Sequence, residues 1–591
     1  MTLRLWLKHK IRELFGIDLR TLAVFRIGLA FLTLIDLFFR SFDLTAHYTD
    51  LGIMPRDVLI DHFLRPYEWS LFLISGSTWV QALLFVCFAF LLVLMLVGYR
   101  TAYVVPLCWA FLHSLHVRNS YILNGGDYLL RMLFVWAMFL PLGKRYSLDA
   151  RLRPAATGQE PMHFSVGSIA LLLQVGLMYF CTIVFRSESK SWHDGSALFY
   201  SLSQPNYSTQ VGIWLLHFPG LLKKLTFISF YLEMLGPFLL FLPFFTPWVR
   251  ILIVALFSFF HMGILIAMWA GMFPLISIWA MTPYLPGFLW NKLKKFFGFI
   301  PVVMDWFAPR GTVPPTDARA FHPKFIFLAK ICRRGLVAFL FIVGIATNLK
   351  SINVIHKENW PQIDHVARFF GIKQSWQMYP DPNGDIWWCV LQGRKFNGDI
   401  VNLSDPSRPV DFQNPPRGYK VFKNWRWRRF IMWRDFSRAK DLTAFADFVC
   451  RDWNQDIGER SERLQDVTVY MVGRKLRDDS SVEAIRKSIK YKQYCFRGFM
   501  DKINQYVDGK AVGPHKEYYS NGQLERSGSY AAGLRVGNWA FWYRNGNLYQ
   551  QVKYINGKKE GTQVTWNRDG RSQRDCFASG VKVACAAAFS K

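Results

Sequence analysis

The sequence predicts a polytopic α-helical membrane bundle of about nine spans, followed by an exported α+β domain and a β-hairpin repeat tail. Three observations support this prediction. The chain of 591 residues is 52% apolar, and nearly all of its long apolar runs lie before Leu349. Beyond that point charged, aromatic and glycine residues mix at short range, as they do in soluble domains. Near the end a motif recurs every 24 residues (513 to 537, 522 to 546).

Residues 1–20 alternate basic and apolar side chains, a pattern that predicts a basic amphipathic helix lying on the membrane surface. The segment lacks a compact apolar core followed by a small-residue cleavage site. We therefore expect it to precede an uncleaved membrane anchor rather than to act as a signal peptide.

Residues 21–349 are predicted to form the membrane domain, because a window of ~19 residues finds about nine apolar segments there. These segments lie near Leu22–Phe39, Val80–Val97, Tyr103–Leu115, Tyr128–Leu142, Val166–Phe185, Phe227–Phe245, Ile251–Trp269, Met272–Leu285 and Gly335–Asn348.

The net charge of +30 indicates orientation rather than a nucleic-acid partner, because Lys and Arg concentrate in three loops. These loops precede the first span, follow the fourth and precede the last. With alternate crossings all three fall on one side, which the positive-inside rule makes cytoplasmic. We therefore expect a multi-pass protein of the bacterial inner membrane, with a cytoplasmic N-terminus and extracytoplasmic C-terminal domains.

Residues 350–505 are predicted to form the exported α+β domain. In the run NWRWRRF, a strand would place Trp425 and Trp427 on one face and Arg426 and Arg428 on the other. The charged face is either a solvated sheet surface or a basic patch that contacts anionic lipid or an acidic polypeptide. The patch would be extended by Lys420, Lys423 and Arg429.

Five cysteines lie in this C-terminal half: Cys389, Cys450, Cys495, Cys576 and Cys585. Export would permit one or two disulfides, and the odd count would leave one thiol. Cys576 and Cys585 are the favoured local pair.

Residues 506–575 contain the repeat, which ends before a tail at 576–591. Gly513, Gly537 and Gly561 correspond, as do the turn dipeptides Asn521-Gly522, Asn545-Gly546 and Asp569-Gly570. These dipeptides tolerate positive φ at both central positions of a hairpin turn, which predicts stacked β-hairpins. The units resemble the MORN-like repeats of many bacterial proteins, and that resemblance implies a binding or spacing surface rather than a catalytic site.

Candidate chemistry concentrates at the end of the fifth span, where an apolar helix meets a burst of ionisable groups. The ionisable groups are Arg186, Glu188, Lys190, His193 and Asp194, and Trp192 lies among them. Within the spans, His261 is expected to pair with Glu233, and Asp127 with Arg131 at i and i+4, unless either pair serves a function. Two further charged residues, Arg26 and Asp36, should face the interior of the bundle. His113 and His116 have the spacing of a metal-binding pair, but no carboxylate or cysteine at matching spacing supplies the third ligand that a metal site needs.

Several segments together resemble the vitamin K-dependent γ-carboxylase family and its bacterial relatives, the HTTM-domain membrane proteins. They are RTLAVFRIGLAFLTLIDLFFR (Arg20 to Arg40), YTDLGIMPR (Tyr48 to Arg56), RNSYILNGGDYLLRMLFVWAMFLPLG (Arg118 to Gly143) followed by RYSLD, SWHDGSALFYSL, SFFHMGILIAMWAGMF (Ser258 to Phe273) and QSWQMYPDP (Gln374 to Pro382). The first five lie within residues 18–290, and the last resembles the start of the family's outward domain.

The resemblance implies a membrane enzyme that oxidises a quinol and carboxylates glutamate, with a lysine base after the fifth helix and a histidine after the third. In this chain Arg186 and Asn119 occupy those two positions. Arginine stays protonated in proteins, so the sequence predicts that carboxylation in the animal manner is absent unless Lys190 serves as the base. His261 matches a family histidine. The substrate pocket would be lined by Arg118, Trp192, His193, Asp194, Glu233, Asp127, Arg131 and Arg26.

Two hypotheses follow from different classes. In the first, the chain is an enzyme acting from the outer face on a quinone, a lipid-linked substrate or a polypeptide carboxylate, with a quinone as candidate cofactor. In the second, it is a non-catalytic scaffold or export chaperone. Its partners would then be the lipid bilayer and an exported protein or peptide.

Overall fold

The computed structural model describes residues 3–152, 161–296, 323–356, 358–413, 422–432, 439–455, 457, 459–476, 484–495, 505–507, 510–519 and 523–585. The predicted turn Asn521-Gly522 and the basic residue Lys420 lie outside this range. The chain folds as two compact units. The first comprises Met1–Cys389, Asp411–Phe445 and Met471–Ser488, and the second Val390–Val410, Ala446–Tyr470 and Ile489–Lys591.

Helices make up most of the first unit. In chain order the α-helices are α1 (Leu3–Phe15), α2 (Leu19–Ser41), α3 (Leu44–Tyr48), α4 (Arg56–His62), α5 (Thr78–Val97), α6 (Thr101–Arg118), α7 (Gly125–Ala137), α8 (Leu148–Leu152), α9 (Val166–Arg186), α10 (Lys190–Asp194), α11 (Ala197–Ser203), α12 (Gln210–Leu215), α13 (Pro219–Leu239), α14 (Thr246–Ala267), α15 (Phe273–Ala280), α16 (Gly287–Phe296), α17 (Pro323–Ser351), α18 (Pro361–Phe369), α19 (Trp425–Ile431) and α20 (Ala439–Asn454).

The strands form three sheets. A short ribbon pairs β1 (Ile17–Asp18) with β2 (Met162–His163). A four-stranded sheet has the order β4-β3-β5-β6, formed by β3 (Asp385–Lys395), β4 (Ile400–Asn402), β5 (Leu464–Lys475) and β6 (Arg486–Tyr494). An eight-stranded antiparallel meander contains β7 (Gln505–Val507), β8 (Lys510–Tyr518), β9 (Leu524–Ala531), β10 (Leu534–Trp542), β11 (Leu548–Ile555), β12 (Lys558–Trp566), β13 (Ser572–Ala578) and β14 (Val581–Val583).

Four helices of the described chain are long and apolar enough to cross a membrane: α2, α5, α9 and α14. The core lies along α2 and α9, where 61% and 67% of the apolar window is buried, against 28% for α5 and α14. On α5 the exposed residues Trp79, Leu83, Val86, Phe90 and Val93 recur every three or four positions. A helix with an apolar face of this kind is stable against lipid rather than water, which indicates a membrane protein.

The prediction of about nine spans is not confirmed by this criterion. A helix lies in every predicted segment, but α7 has 13 residues and α15 has eight. At 1.5 Å per residue, neither reaches across a hydrocarbon core of about 30 Å without help from flanking residues.

Contacts between chain-distant segments define two ends of the helical bundle. At one end, β1 before α2 pairs with β2 before α9, and Asp149 accepts hydrogen bonds from the backbone N–H groups of Arg100 and Thr101. At the other end, the backbone N–H of Thr209 donates to the carbonyl of Ala267, where α14 finishes. The helices therefore run alternately between two loop-bearing ends.

The strand predicted for NWRWRRF is wrong, because Trp425–Ile431 forms helix α19. Asn424 caps this helix by accepting hydrogen bonds from the backbone N–H groups of Arg426 and Trp427. Arg426 and Arg428 are buried rather than solvated. The alternation of aromatic and basic residues was therefore not a solvated strand face, and neither arginine belongs to an exposed basic patch.

The repeat tail is a sheet in which each strand pairs with its sequence neighbours. Gly513, Gly537 and Gly561 have φ values of +72°, +70° and +76°, and Gly537 lies in an irregular stretch of the ladder between β9 and β10. Glycine recurs there because a positive φ strains other residues. Successive units are also joined by equivalent bonds, since the hydroxyls of Tyr519 and Tyr543 donate to the carbonyls of Trp542 and Trp566.

The predicted turn geometry needs correction at Asn545-Gly546 and Asp569-Gly570. Only the glycine of each dipeptide has positive φ, so each loop is a longer turn closed by a left-handed glycine. Two successive positive φ values occur instead at Ala532-Gly533, Asn556-Gly557 and Ser579-Gly580. At Ala532 and Ser579 the sequence carries no signal, because neither alanine nor serine is a usual residue for that turn. Asn556-Gly557 does carry the usual Asn-Gly signal, and the sequence analysis missed it.

The second unit contains two disulfides. Cys576 and Cys585 form the predicted local bridge, and Cys450 pairs with Cys495 across 45 residues of sequence. Cys389, in the first unit, remains a buried thiol, and burial raises its pKa to about 12. The cross-links fit a half of the chain that folds in an oxidising compartment.

We expect the repeat tail to be separable from the membrane bundle, because its strands pair with their sequence neighbours. Deletion of residues 513–591 should leave membrane insertion and the thermal unfolding of the bundle unchanged, measured by carbonate extraction and by the melting temperature in detergent. Removal of one period, residues 537–560, is the matched control. Degradation of the truncated chain would contradict the modular interpretation.

Candidate functional site

Arg186 lies at the C-terminal end of α9 and is buried. Its guanidinium forms an ion pair with Glu233 of α13. It also donates from Nε and Nη2 to the backbone carbonyl of Met378, at 3.3 and 3.1 Å, and stacks over the ring of Trp192 at 4.2 Å. The guanidinium is thus held by a carboxylate, a carbonyl and an aromatic face.

The segment QSWQMYP (374–380) lies against the second half of α9. Gln174 donates to Gln374 at 2.8 Å, and the hydroxyl of Thr182 donates to the carbonyl of Trp376 at 3.4 Å. The indole N–H of Trp192 donates to the carbonyl of Tyr379 at 3.1 Å. The end of the fifth span and the QSWQMYPDP segment, distant in sequence, therefore come together around Arg186.

The other predicted site residues of this loop are exposed. Lys190, His193 and Asp194 are exposed, with the ring of His193 bonded to the carbonyl of Ser187 at 2.8 Å. Asp194 accepts hydrogen bonds from Ser196. Among the predicted pocket residues, Arg186, Trp192 and Glu233 are therefore gathered, whereas Lys190 lies outside the buried centre.

The expected pairing of His261 with Glu233 is wrong. The Nε2 atom of His261 hydrogen-bonds the hydroxyl of Tyr179 at 2.6 Å, while Glu233 is taken by Arg186. His261 is buried, and its Nδ1 has no hydrogen-bond partner in the described chain. The sequence analysis missed Tyr179, which lies on α9, because spacing along the chain does not predict contacts between helices.

A second buried cluster lies at the same end of the bundle. Asp36 is bound by Arg40 at 2.7 Å and by Arg426 of α19, and Arg40 also binds Asp127 at 2.5 Å and the hydroxyl of Tyr48 at 2.6 Å. The expected facing of Asp36 toward the bundle is confirmed. The pairing of Asp127 with Arg131 is wrong, because Arg40 takes that carboxylate.

Asn119 and Arg118 tie the end of α6 to the loop before α4. The amide of Asn119 donates to the carbonyl of His47 at 3.1 Å. Arg118 donates to the carbonyls of Met54 and Thr49 at 2.7 and 3.2 Å. Burial lowers the pKa of His47 to about 3, so its imidazole is neutral at pH 7. Asn119 therefore has a structural contact and no titrating neighbour in His47.

Arg26 does not join either cluster. It lies near the opposite end of α2 and donates to the carbonyls of Leu142 and Tyr146, at 2.8 and 2.5 Å. The prediction that it faces the bundle is confirmed, but it is remote in the fold from Arg186, which lies at the other end of the bundle.

The two histidines of α6 lie in different surroundings. His113 packs against the rings of Trp69 and Trp109, and His116 Nε2 lies 3.6 Å from Asp127. In the part of the chain that the structure describes, no group of three or more His, Cys, Asp or Glu residues could hold a metal ion.

The sequence analysis did not predict that the residues of α19 pack at this end of the bundle. Arg428 donates to the carbonyls of Asn206 and Trp269, at 2.9 and 2.6 Å, and stacks over Tyr207 at 4.2 Å. The only signal in the sequence was an unusual density of Trp and Arg. That density does not distinguish a surface strand from a buried helix.

The chain matches no known family model, no curated protein and no solved structure in these comparisons.

Replacing Glu233 by Gln should destabilise the protein by about 3–5 kcal/mol, because it leaves the buried Arg186 charge unpaired. The double variant Arg186→Met/Glu233→Leu should recover most of this loss, as similar apolar groups fill the space. Denaturant unfolding in detergent measures both effects. Lys190→Ala is the exposed control, expected within about 0.5 kcal/mol of the parent. A neutral Glu233→Gln variant would show that the pair does not fix α9 to α13.

Proposed function

We propose that this chain is an integral membrane protein of the HTTM and vitamin K-dependent γ-carboxylase-like family that serves as a non-catalytic scaffold. In this proposal the membrane bundle anchors an extracytoplasmic domain, and the repeats bind an exported protein or peptide. The observation that carries the proposal is the contact set of Arg186, which occupies the position of the family's lysine base.

The chemistry of Arg186 supports the absence of animal-type carboxylation. A base must lose its proton to accept another, whereas arginine remains protonated in proteins, and here its guanidinium is paired with Glu233. Asn119 has no ring nitrogen to relay a proton, and its amide is engaged by the His47 carbonyl. Lys190, the alternative base, is exposed to solvent and lies outside the buried centre around Arg186.

The repeat sheet supports a binding role. Its strands expose the aromatic side chain of Tyr549 together with Leu534 and Ile555, and Arg535 is half-buried. Aromatic and arginine side chains are the groups that most often dominate protein interfaces. A partner in this proposal is an exported polypeptide.

A second candidate function is an enzyme acting from the outer face on a quinone, lipid-linked or polypeptide carboxylate substrate. The buried hydrogen bond between Tyr179 and His261 favours it, because intramembrane ionisable groups often serve a function. The two candidates separate by lipid-phase mass spectrometry of the purified protein. A stoichiometric co-purifying quinone that is lost in His261→Phe would favour the enzyme.

The orientation proposed is a cytoplasmic N-terminus and extracytoplasmic C-terminal domains, with about nine passes of the chain. It is supported by the two ends of the bundle: the segments before α2 and α9 meet at one end, and Arg40 meets Asp127 at the other. The two disulfides of the second unit also favour an oxidising side.

Reporter fusions test this orientation. Alkaline phosphatase fused after Asn348 or Lys591 should be active, because that enzyme matures only outside the cytoplasm, and a fusion after Leu152 should be inactive. Green fluorescent protein at the same three positions is the reciprocal control. Cytoplasmic reporter activity from the Lys591 fusion would overturn the orientation.

An assay with vitamin K hydroquinone, bicarbonate and glutamate peptides tests the missing carboxylation. We expect incorporation of labelled carbon dioxide at the level of the no-enzyme blank, because no neutral amine lies in the buried centre. The variant Arg186→Lys/Asn119→His restores the family residues and is the matched comparison. Incorporation by the parent chain that is lost in Lys190→Ala would make Lys190 the base and refute the proposal.

A further inference from the structure

Arg131, on α7, is a buried cation that the ion-pair network leaves out. The residue is 6% exposed, and its Nε has no hydrogen-bond partner among the described residues. Asp127, one turn earlier, is bound by Arg40. In the part of the chain that the structure describes, no carboxylate lies within ion-pair distance of Arg131, and Asp127 and Glu68 act on it only from farther away. Arg186 and Arg426, by contrast, each contact a carboxylate directly.

A second donor without a partner lies beside it. His113 is 1% exposed, and neither ring nitrogen has a hydrogen-bond partner in the described chain. A Cβ placed on Gly371 would lie 2.5 Å from His113 Nδ1 and 3.1 Å from Arg131 Nε. The imidazole and the guanidinium therefore flank the same short piece of backbone, which has no room for a side chain and has φ of +64°.

An unpaired guanidinium is costly in these surroundings. The ring of Tyr128 lies 5.2 Å from its central carbon, and the rings of Trp69 and Trp109 pack against His113. Moving a charge into such an environment without a counter-charge costs several kcal/mol, even after relaxation. Buried water could satisfy the N–H groups, but it would leave the charge unneutralised.

The donor set matches an oxyanion. A guanidinium presents parallel N–H groups to two oxygens of a carboxylate or phosphate, and a neutral imidazole adds one N–H. Binding one such anion would neutralise Arg131 and accept hydrogen bonds from its guanidinium and from the one N–H of His113.

An apolar pocket adjoins this position. It has a volume of about 290 Å³ and is lined by Tyr67, Gln362, His365, Val366, Phe369 and Phe370. Two of these residues directly precede Gly371, and the carbonyl of Phe369 accepts the indole N–H of Trp69 at 2.9 Å. An amphiphile could place an oxyanion head at Arg131 and part of a tail at this pocket.

We propose that Arg131 and His113 form a binding site for an oxyanion of the carboxylate or phosphate class. The anion is supplied either free in solution or as the head of an amphiphile. This site does not depend on the scaffold function proposed above, because it uses neither Arg186 nor the repeats.

The test is thermal unfolding of the full chain in an uncharged detergent and chloride buffer, with four additives: acetate, inorganic phosphate, laurate and dodecanol. Laurate should raise the melting temperature, and dodecanol, which shares its tail but lacks the charge, should not. Equal stabilisation by acetate or phosphate at the same concentration identifies a free anion as the ligand. Stabilisation confined to laurate identifies an amphiphile.

The variant Arg131→Met removes the unpaired charge. Without an anion it should melt at or above the temperature of the parent chain, and its affinity for the stabilising anion should fall at least tenfold. Arg26→Met is the matched control, since its guanidinium is already bound by carbonyls. It should melt lower than the parent but keep the full anion-dependent shift.

Three results would overturn the proposal: no anion-dependent shift in the parent chain, an undiminished shift in Arg131→Met, or a lower anion-free melting temperature in that variant. If Arg131→Met does not fold, the charge of Arg131 must already be compensated within the protein, which also contradicts the proposal. The milder variant His113→Asn then measures the site, with a predicted loss of anion affinity and a retained fold.

Discussion

The ion pairs that Asp36 and Asp127 make with Arg40 and Arg426 are the constraint on which one end of the helical bundle depends. They join α2, α7 and α19, which are far apart in sequence. Charges in an apolar bundle cost several kcal/mol when unpaired, so each helix is held in the register that brings its charge to a partner. The same rule explains why Arg186 pairs with Glu233. Arg131 is a buried charge without such a pair, and for this reason we proposed that it binds an anion.

The difference between lysine and arginine decides the chemistry available at the end of α9. A lysine amine can be neutralised by desolvation and then act as a base, whereas a guanidinium remains charged and forms fixed, planar contacts. At Arg186 these contacts join α9, α13 and the Met378 carbonyl. Arg186 is therefore a structural group in this fold.

Local and long-range rules contributed differently to the two halves of the chain. The repeat sheet was predictable because its strands pair with their sequence neighbours, and its period appeared directly in Gly513, Gly537 and Gly561. Within the sheet, the sequence predicted the turns with two positive φ values at the wrong positions. Ala532 and Ser579 are residues that rarely adopt that conformation, so the sequence gives no sign of it there. In the helical bundle the apolar segments were predictable, but the lengths of α7 and α15 were not.

By itself, the sequence determined the apolar helices, the hairpin repeat, the Cys576–Cys585 bridge and the concentration of ionisable groups around Arg186. These features follow from periodicity, composition and short sequence separation, which act locally. Only the tertiary structure decided which charges meet. In the structure Asp127 forms an ion pair with Arg40, and His261 forms a hydrogen bond with Tyr179. The segment around Arg426 is a buried helix and not a strand. The physical reason is that the free energy of a buried charge depends on its neighbours in space, which no spacing along the chain specifies.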